Sequence, residues 1–222
     1  MGIFISSLIL ILWNVNLFYS LNSVTPDFKN PLFYFHLILQ AYLYTGLFIT
    51  AHDSMHGNVA SNKKLNEFAG RICSFLYAGL SYRRLIINHR NHHSHPGTVL
   101  DPDFYEKTNN FFIWWFVFMK RYVTVIQIIF MAAVFNLVKH FFGELQVWSF
   151  FVIPVVISTF QLFYFGTYLP HKTPHEQHML PFKSRTQRKN HLKAMLTCYF
   201  FGYHSEHHGN PGTPWWKLYK LK

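Results

Sequence analysis

The chain has 222 residues, half of them apolar and 20% aromatic, and only 13% are charged, against about 25% in ordinary soluble domains. That length suits one domain, residues 1–222, and the charge deficit argues against a soluble globular chain. The formal charge of +11 raises nucleic acid as a partner, but on a chain so rich in Phe and long apolar runs it is better read as charge at a lipid headgroup surface, with no nucleic-acid partner.

The first apolar run covers residues 3–21, about 28 Å of helix and roughly one hydrocarbon core. The first basic residue is Lys29, so no basic stretch precedes this run, and it reads as a retained membrane helix rather than a cleaved leader. Asn14 and Asn16 within it must face protein or an interface. Residues 22–31, with two prolines, read as a loop. A second span covers residues 32–51 and ends directly at His52. Residues 57–72 are polar and basic, and the apolar run Cys73–Leu80 is too short to cross, so an interfacial or re-entrant piece is expected.

Residues 88–97, Asn-His-Arg-Asn-His-His-Ser-His-Pro-Gly, hold four histidines. Residues 96–110 read as a loop. The aromatic piece Phe111–Met119 belongs at the interface, where Trp114 and Trp115 are comfortable. Spans three and four cover residues 122–138 and 147–165. Gly166-Thr-Tyr-Leu-Pro170 is expected to end the fourth, since proline disfavours helix in the residue before it. The segment 172–193 is polar and basic, and Pro214-Trp215-Trp216 suits an interfacial anchor. Cys73 and Cys198 form no C-x-x-C motif and no disulfide framework, so both read as buried small apolar residues.

Three histidine clusters punctuate this all-α pattern: His52-x-x-x-His56, His89-x-x-His92-His93 and His204-x-x-His207-His208. Helical residues three and four apart share a face, so each cluster can aim its imidazoles at one place. Four spans put all three clusters on one side of the membrane. Of the 20 Lys and Arg residues, only Lys29 and Lys139 fall on the opposite side. By the positive-inside rule the histidine cap is cytoplasmic. Neutral imidazole is the commonest side-chain metal ligand. Eight clustered histidines exceed the three or four ligands of one zinc, and their place at span ends suits haem poorly. They fit two metals. The all-imidazole set suits iron, copper or zinc, and dioxygen chemistry on an apolar substrate favours iron.

His171, where the fourth span exits, reads equally as a ninth ligand or as a polar helix-end histidine. His95 reads as a hydrogen-bond donor beside the ligands, or as an exposed group, more readily than as a ligand. His36 and His140 read as structural, and His175, His178 and His191 as solvated. Asp53 and Glu206 lie inside clusters, where a carboxylate can orient a ligating imidazole or simply carry a helix-end charge. Asp101 and Asp103 serve either that role or turn chemistry. Phe160, Gln161, Phe163, Tyr164 and Phe165 are candidate substrate-lining residues, the alternative being helix packing.

The set H-x-x-x-H, H-x-x-H-H, H-x-x-H-H over four spans resembles the membrane fatty acid desaturase and hydroxylase superfamily. The wording around the motifs is similar to the bacterial and cyanobacterial β-carotene ketolases: Phe48-Ile-Thr-Ala-His-Asp-Ser-Met-His-Gly57, His92-His-Ser-His-Pro-Gly-Thr98 with Asp101-Pro-Asp-Phe104, Gln161-Leu-Phe-Tyr-Phe-Gly-Thr-Tyr-Leu-Pro-His171, and Gly202-Tyr-His-Ser-Glu-His-His208 before Pro214-Trp-Trp216. The resemblance covers about residues 32–216. It implies a non-haem di-iron oxygenase in a bacterial inner membrane or cyanobacterial membrane, using dioxygen and a ferredoxin-type electron donor. The implied reaction converts carbon 4 of a β-ionone ring to a ketone, by two hydroxylations and loss of water, taking β-carotene through echinenone to canthaxanthin. In the superfamily an extra histidine shortly before the third box completes the metal set, a place that His171 matches.

Other readings are a carotenoid ring hydroxylase, acyl desaturase or alkane-type hydroxylase of the same superfamily, or a non-catalytic membrane metal-binding or transport protein. Transport would want ionisable residues at mid-bilayer, and the spans nearly lack them. A hydrocarbon substrate dissolved in lipid should enter sideways into an aromatic-lined tunnel that ends at the metals.

Overall fold

The computed structural model describes all 222 residues, and every regular element in it is helical. Four helices are long and apolar enough to cross a membrane: α1 (Gly2–Ser23), α2 (Pro31–Met55), α6 (Val125–Phe142) and α7 (Glu144–His171). Between the two pairs lie α3 (Lys63–Ala78), α4 (Tyr82–Ser94) and α5 (Phe111–Tyr122). After α7 come two short helices, α8 (His191–Cys198) and α9 (His204–Gly209), and a terminal 3-10 segment, Trp215–Leu221.

Local chemistry sets the boundaries. The side chain of Asn30 accepts from Leu32 N at the start of α2, that of Asn62 from Leu65 N at α3, that of Asn110 from Ile113 N at α5, and that of Thr124 from Gln127 N at α6. Each satisfies a backbone donor that the first helical turn leaves free. Pro31 occupies the first position of α2, where its missing N–H costs nothing. α3 stops at Gly79, whose φ of 65° ends the helix in the left-handed region that glycine enters without steric cost.

α7 does not end before Pro170, contrary to expectation. It continues to His171 through two π-helical turns, Trp148–Val152 and Tyr164–Tyr168. Each turn immediately precedes a proline region: the N–H of Ile153, before Pro154, reaches back to the Trp148 carbonyl, and that of Leu169, before Pro170, to Tyr164. The i→i+5 bonds shift the ladder locally, so the helix passes a residue that has no N–H. The consequence is functional, because this continuation carries His171 to the end of the helix. The other span boundaries lie within a few residues of those expected, except that α6 runs on to Phe142 and only Gly143 separates it from α7.

The connections α1–α2 and α6–α7 sit at the same end, where Leu21, Val24, Phe33, Val147 and Phe150 form one buried cluster. The main core lies toward the other end and joins α1, α2, α3, α7 and the C-terminal segment through residues such as Trp13, Tyr44, Leu47, Leu162, Cys198 and Trp215. Both cysteines are free and buried. Asn16 is buried and donates to Gln40 Oε1 at 2.7 Å, and its own Oδ1 faces His36 Nδ1 at 2.8 Å. That network partners the polar groups which an apolar helix pair would otherwise strand. Asn14, by contrast, is exposed on α1.

α3 is longer than the apolar run alone indicated. It runs antiparallel to α2. Asn66 Nδ2 donates to the Ser54 carbonyl at 2.7 Å near the top, and at the bottom the Tyr77 ring packs on Tyr44 and Phe48 at 6.0 and 5.5 Å. Eight residues of α2 separate His52 from Tyr44, so α3 descends about 12 Å below the level of His52. α4 then climbs back toward the histidines. Gly70 makes the pairing possible, since a Cβ there would stand 2.0 Å from Ser54 Oγ and 2.4 Å from the Tyr82 ring. α6 buries none of its residues, as suits a helix whose solvent is lipid.

Candidate metal centre

The histidines arrive from four places in the chain. His52 lies in the last turn of α2 and His56 just past its end. His89, His92 and His93 are on α4, His171 ends α7, and His204, His207 and His208 are on α9. Tertiary packing gathers these nine into two groups: His52, His56, His89, His93 and His207 in one, and His92, His171, His204 and His208 in the other. Within a group one ring nitrogen of every residue lies within 4.8 Å of the rest.

Helical periodicity explains why each H-x-x-H-H box is shared between groups. Residues i and i+4 differ by about 40° around the axis, while i+3 and i+4 differ by about 100°. On α4, His89 and His93 therefore face the first group and His92 the second. On α9 the assignment is reversed: His204 and His208 face the second group and His207 the first. The adjacent-histidine pair in each box is what joins the two groups side by side, and the His93 and His208 rings stack across the boundary at 4.3 Å.

The geometry fits metal ions. His56 and His89 bring their Nε2 atoms to 2.6 Å, and the pairs His93–His207, His92–His208 and His204–His208 bring theirs to 3.1 Å. Imidazole nitrogens bound to one ion at about 2.0–2.1 Å stand about 3 Å apart at right angles and about 4.2 Å apart across it. Both ring nitrogens of His52 and the Nε2 of His171 are buried without a hydrogen-bond partner, an arrangement that costs free energy unless something coordinates them. The donors are all imidazole, which suits a first-row transition metal.

Burial keeps most of these rings neutral, the form that binds metal. Desolvation lowers the pKa of His56 to about 4 and that of His93 to about 3, in the latter with neighbouring histidines adding to the effect. It also holds His89, His204, His207 and His208 well below the usual value, again with neighbouring histidines contributing. His92 goes the other way. Burial lowers its pKa, but Asp103 and Asp101 outweigh that and raise it.

Asp101 is buried, and each of its carboxylate oxygens lies 3.0 Å from His92 Nδ1, while it also accepts from Gly97 N and Asp103 N, both at 2.8 Å. A carboxylate in that place fixes the proton on Nδ1 and leaves Nε2 facing the second group. Asp103 stands 3.8 Å from the same Nδ1 and accepts from the Tyr122 hydroxyl. The loop carrying both acids is tied to α5, because Trp114 Nε1 donates to the Asp103 carbonyl and Arg121 to those of Pro102 and Phe104. Asp53 does other work. It accepts from Trp215 N at 2.9 Å and lies 3.6 Å from His52 Nδ1, so it clamps the C-terminal segment onto α2 beside the first histidine.

Several expected placements differ. Glu206 points away from every histidine and accepts from Thr186 and Lys222, at 2.5 and 2.7 Å, because on α9 it falls outside the face that carries the ligand candidates. His95 is exposed at the end of α4 and belongs to neither group. His175 and His191 are not free in solvent: the His175 ring reaches the His171 carbonyl at 2.8 Å and His191 Nδ1 the Tyr203 hydroxyl at 3.0 Å. The carbonyl of Lys183 accepts from His171 Nδ1 at 3.1 Å. No side-chain pattern marks that contact, since a backbone carbonyl has the same chemistry at any residue.

An apolar cavity of about 110 Å³ ends at His52, His89, His92 and His204. Its wall on α7 comes from Thr159, Leu162, Gly166 and Thr167. The five lining candidates lie on other faces. Phe160 stacks on Trp115 at 4.3 Å, and Phe163 packs among Phe111, Trp114 and Phe118. Tyr164 lies beside Phe111 and Tyr168, and Phe165 packs against the main core. Gln161 donates to the Thr197 carbonyl at 2.6 Å and so ties α7 to the last turn of α8. The spacing 159, 162, 166 is an ordinary helical stripe, and only the packing of α7 decides which stripe faces the cavity.

The fatty acid desaturase family profile matches residues 29–142 and 115–222. The chain is 41% identical over 187 residues to a zeaxanthin 4-ketolase of Chlamydomonas reinhardtii, covering 82% of this chain and 42% of that protein. It is 40% identical over 191 residues to beta-carotene 4-ketolase 3 of Haematococcus lacustris, covering 82% and 59%. To a beta-carotene ketolase of a Paracoccus species it is 36% identical over 180 residues, covering 80% of this chain and 74% of that one. The aligned part thus spans about half the length of the algal relatives. The chain belongs to the fatty acid desaturase family, an integral membrane fold with histidine clusters suited to metal. Within that family its similarity over most of its length is to carotenoid ketolases.

Proposed function

We propose that the protein is a membrane di-iron oxygenase that introduces a keto group at carbon 4 of the β-ionone ring of β-carotene, giving echinenone and then canthaxanthin. The observation that carries this reading is the convergence of nine histidines on two adjacent points at the inner end of an apolar cavity, in a chain similar to named ketolases. A printed substrate of zeaxanthin for one relative extends the proposed range to hydroxylated β-rings.

In this reading His52, His56, His89, His93 and His207 hold one iron, and His92, His171, His204 and His208 the other. Two irons bound there would supply the reductive activation of dioxygen needed to break the allylic ring C–H bond. The chain's own residues do the rest. Asp101 and the Lys183 carbonyl hold the outward protons of His92 and His171, so that both rings present a lone pair inward. The aliphatic and aromatic cavity wall, with Phe48, Leu80, Leu162 and Phe201, excludes water and presents a ring edge to the histidine end. Each hydroxylation consumes one dioxygen, two electrons and two protons and releases one water. The second produces a geminal diol, which loses water to the ketone. The basic segment 172–193, with Lys172, Lys183, Arg188 and Lys189, favours a negatively charged donor of ferredoxin type. The excess of Lys and Arg at the histidine end makes that end cytoplasmic.

The test is expression in bacteria that accumulate β-carotene, followed by pigment extraction. Orange-red keto-carotenoids are expected. Unchanged β-carotene in membranes holding folded, iron-loaded protein with reductant supplied would refute the reading.

A further inference from the structure

The cavity has an outer neighbour. A second chamber lies between the α3–α4 turn and the α5–α6 junction, and Leu80, Leu85, Tyr122 and Gln127 line both spaces. These four residues stand between the two spaces, so the outer chamber lies directly against the cavity that ends at the histidines. Its outer end is amphipathic. Phe75, Val125 and Phe130 form an apolar floor, while Ser81, Arg84 and Thr124 stand on the rim.

Its level in the membrane follows from packing. The α3–α4 turn lies about 12 Å below His52 by helix rise, and Gln127 Nε2, in the first turn of α6, donates to the Ala78 carbonyl at 2.7 Å. The top of a lipid-facing helix therefore meets the bottom of the α3–α4 pair. Ile126 is 81% exposed and Ile129 64%, so this stretch of α6 has lipid beside it. Arg83 and Arg84 open α4 and Lys120 and Arg121 close α5, basic groups of the kind that suit a headgroup boundary. Gly79 keeps the floor open, since a Cβ there would stand 2.9 Å from the Phe130 ring.

We propose that this gap between the α3–α4 turn and the α5–α6 junction is the lateral portal through which a lipid-dissolved polyene enters ring first. The apolar floor carries the polyene up from the acyl-chain region, while Ser81, Arg84 and Thr124 face the headgroups. The leading ring passes between Leu80, Leu85, Tyr122 and Gln127 and comes to rest beside the histidines, with the remainder of the chain still in the bilayer. The substrate class rests on the function proposed above; the position of the portal rests on the two chambers.

The test narrows the outer chamber alone. Ser81→Trp and Ile126→Trp change exposed positions that line the outer chamber and not the inner cavity. Ile128→Trp, also exposed on α6 but lining neither space, is the control. Two readouts are taken. One is transfer of β-carotene from loaded donor vesicles to protein in carotenoid-free nanodiscs, under anaerobic conditions without reductant. The other is steady-state ketolation, with iron content measured alongside. Both portal variants are expected to slow transfer by about tenfold and to raise KM by a similar factor with kcat and iron retained, the pattern of impeded access rather than impaired chemistry. Transfer at the wild-type rate in both portal variants, or equal slowing by Ile128→Trp, overturns the portal. A wild type that takes up carotenoid without converting it refutes the proposed reaction but leaves the portal standing, provided the portal variants still slow uptake. A wild type that takes up none overturns both.

Discussion

Replacing Asp101 with Asn tests whether one carboxylate sets up half of the metal centre. Asp101 presents both oxygens to His92 Nδ1 at 3.0 Å and accepts from two backbone N–H groups. Asparagine keeps the size and one acceptor oxygen. Its amide nitrogen must then either face the His92 N–H, donor against donor, or turn toward the backbone and leave an N–H unsatisfied. Loss of such an orienting partner costs about 10–100-fold in metal affinity, which is about 1.4–2.8 kcal/mol. The cost falls on the group His92, His171, His204 and His208, because Asp101 touches no member of the other. Titration of the purified variant with a competing chelator, followed by iron counted per chain, is expected to show one iron released earlier than in wild type and the other held as before. Asp101→Ala should be worse, since it also strands the Gly97 and Asp103 N–H groups at about 1–3 kcal/mol each. If Asp101→Asn kept both irons at wild-type affinity, or lost both together, the division into two groups with Asp101 serving one would be wrong.

His207→Ala removes a ligand candidate from the five-histidine group, and should reduce iron by about one per chain and abolish ketone formation. Glu206→Gln, one position away but bonded to Lys222 and Thr186, should retain iron and change stability by no more than about 1 kcal/mol. Gly70→Ala forces a methyl group against Ser54 and Tyr82; overpacking of this kind costs about 1–3 kcal/mol, to be read as a lower thermal midpoint in detergent. In the iron-free protein, acid should destabilise through His56 and His93. Their folded pKa values, about 4 and 3, lie below the unfolded value of about 6.5, so below that pH the unfolded state binds more protons. Stability is therefore full above about pH 6.5 and falls as pH drops toward 4 and then 3, which thermal unfolding across that range would display.

Much of the site was legible because its logic is local. Spacing within one helix decides which histidines share a face, and the H-x-x-H-H boxes carry that information in five consecutive residues. Asp101 was legible as a candidate for the same reason, being a carboxylate in the turn next to a ligand box. Asp53 and Glu206 looked equivalent to it. They proved different because a carboxylate takes its partner from whatever packs against it, and that was Trp215 for one and Lys222 with Thr186 for the other.

The sequence by itself determined the four apolar spans, the clustering of basic residues at the histidine end and the eight histidines of the three boxes, since hydropathy and helical period act over a few turns. Only the tertiary structure decided how the nine divide five and four, that α7 passes Pro170 to deliver His171, and that the α7 stripe through Thr159, Leu162 and Gly166, rather than Phe160, Phe163 and Tyr164, faces the cavity. Those outcomes depend on the rotation and depth of one helix against another. Both are fixed by contacts between residues far apart in the chain, such as Gly70 with Ser54, Tyr77 with Tyr44 and Gln127 with Ala78, and no short stretch of sequence encodes them.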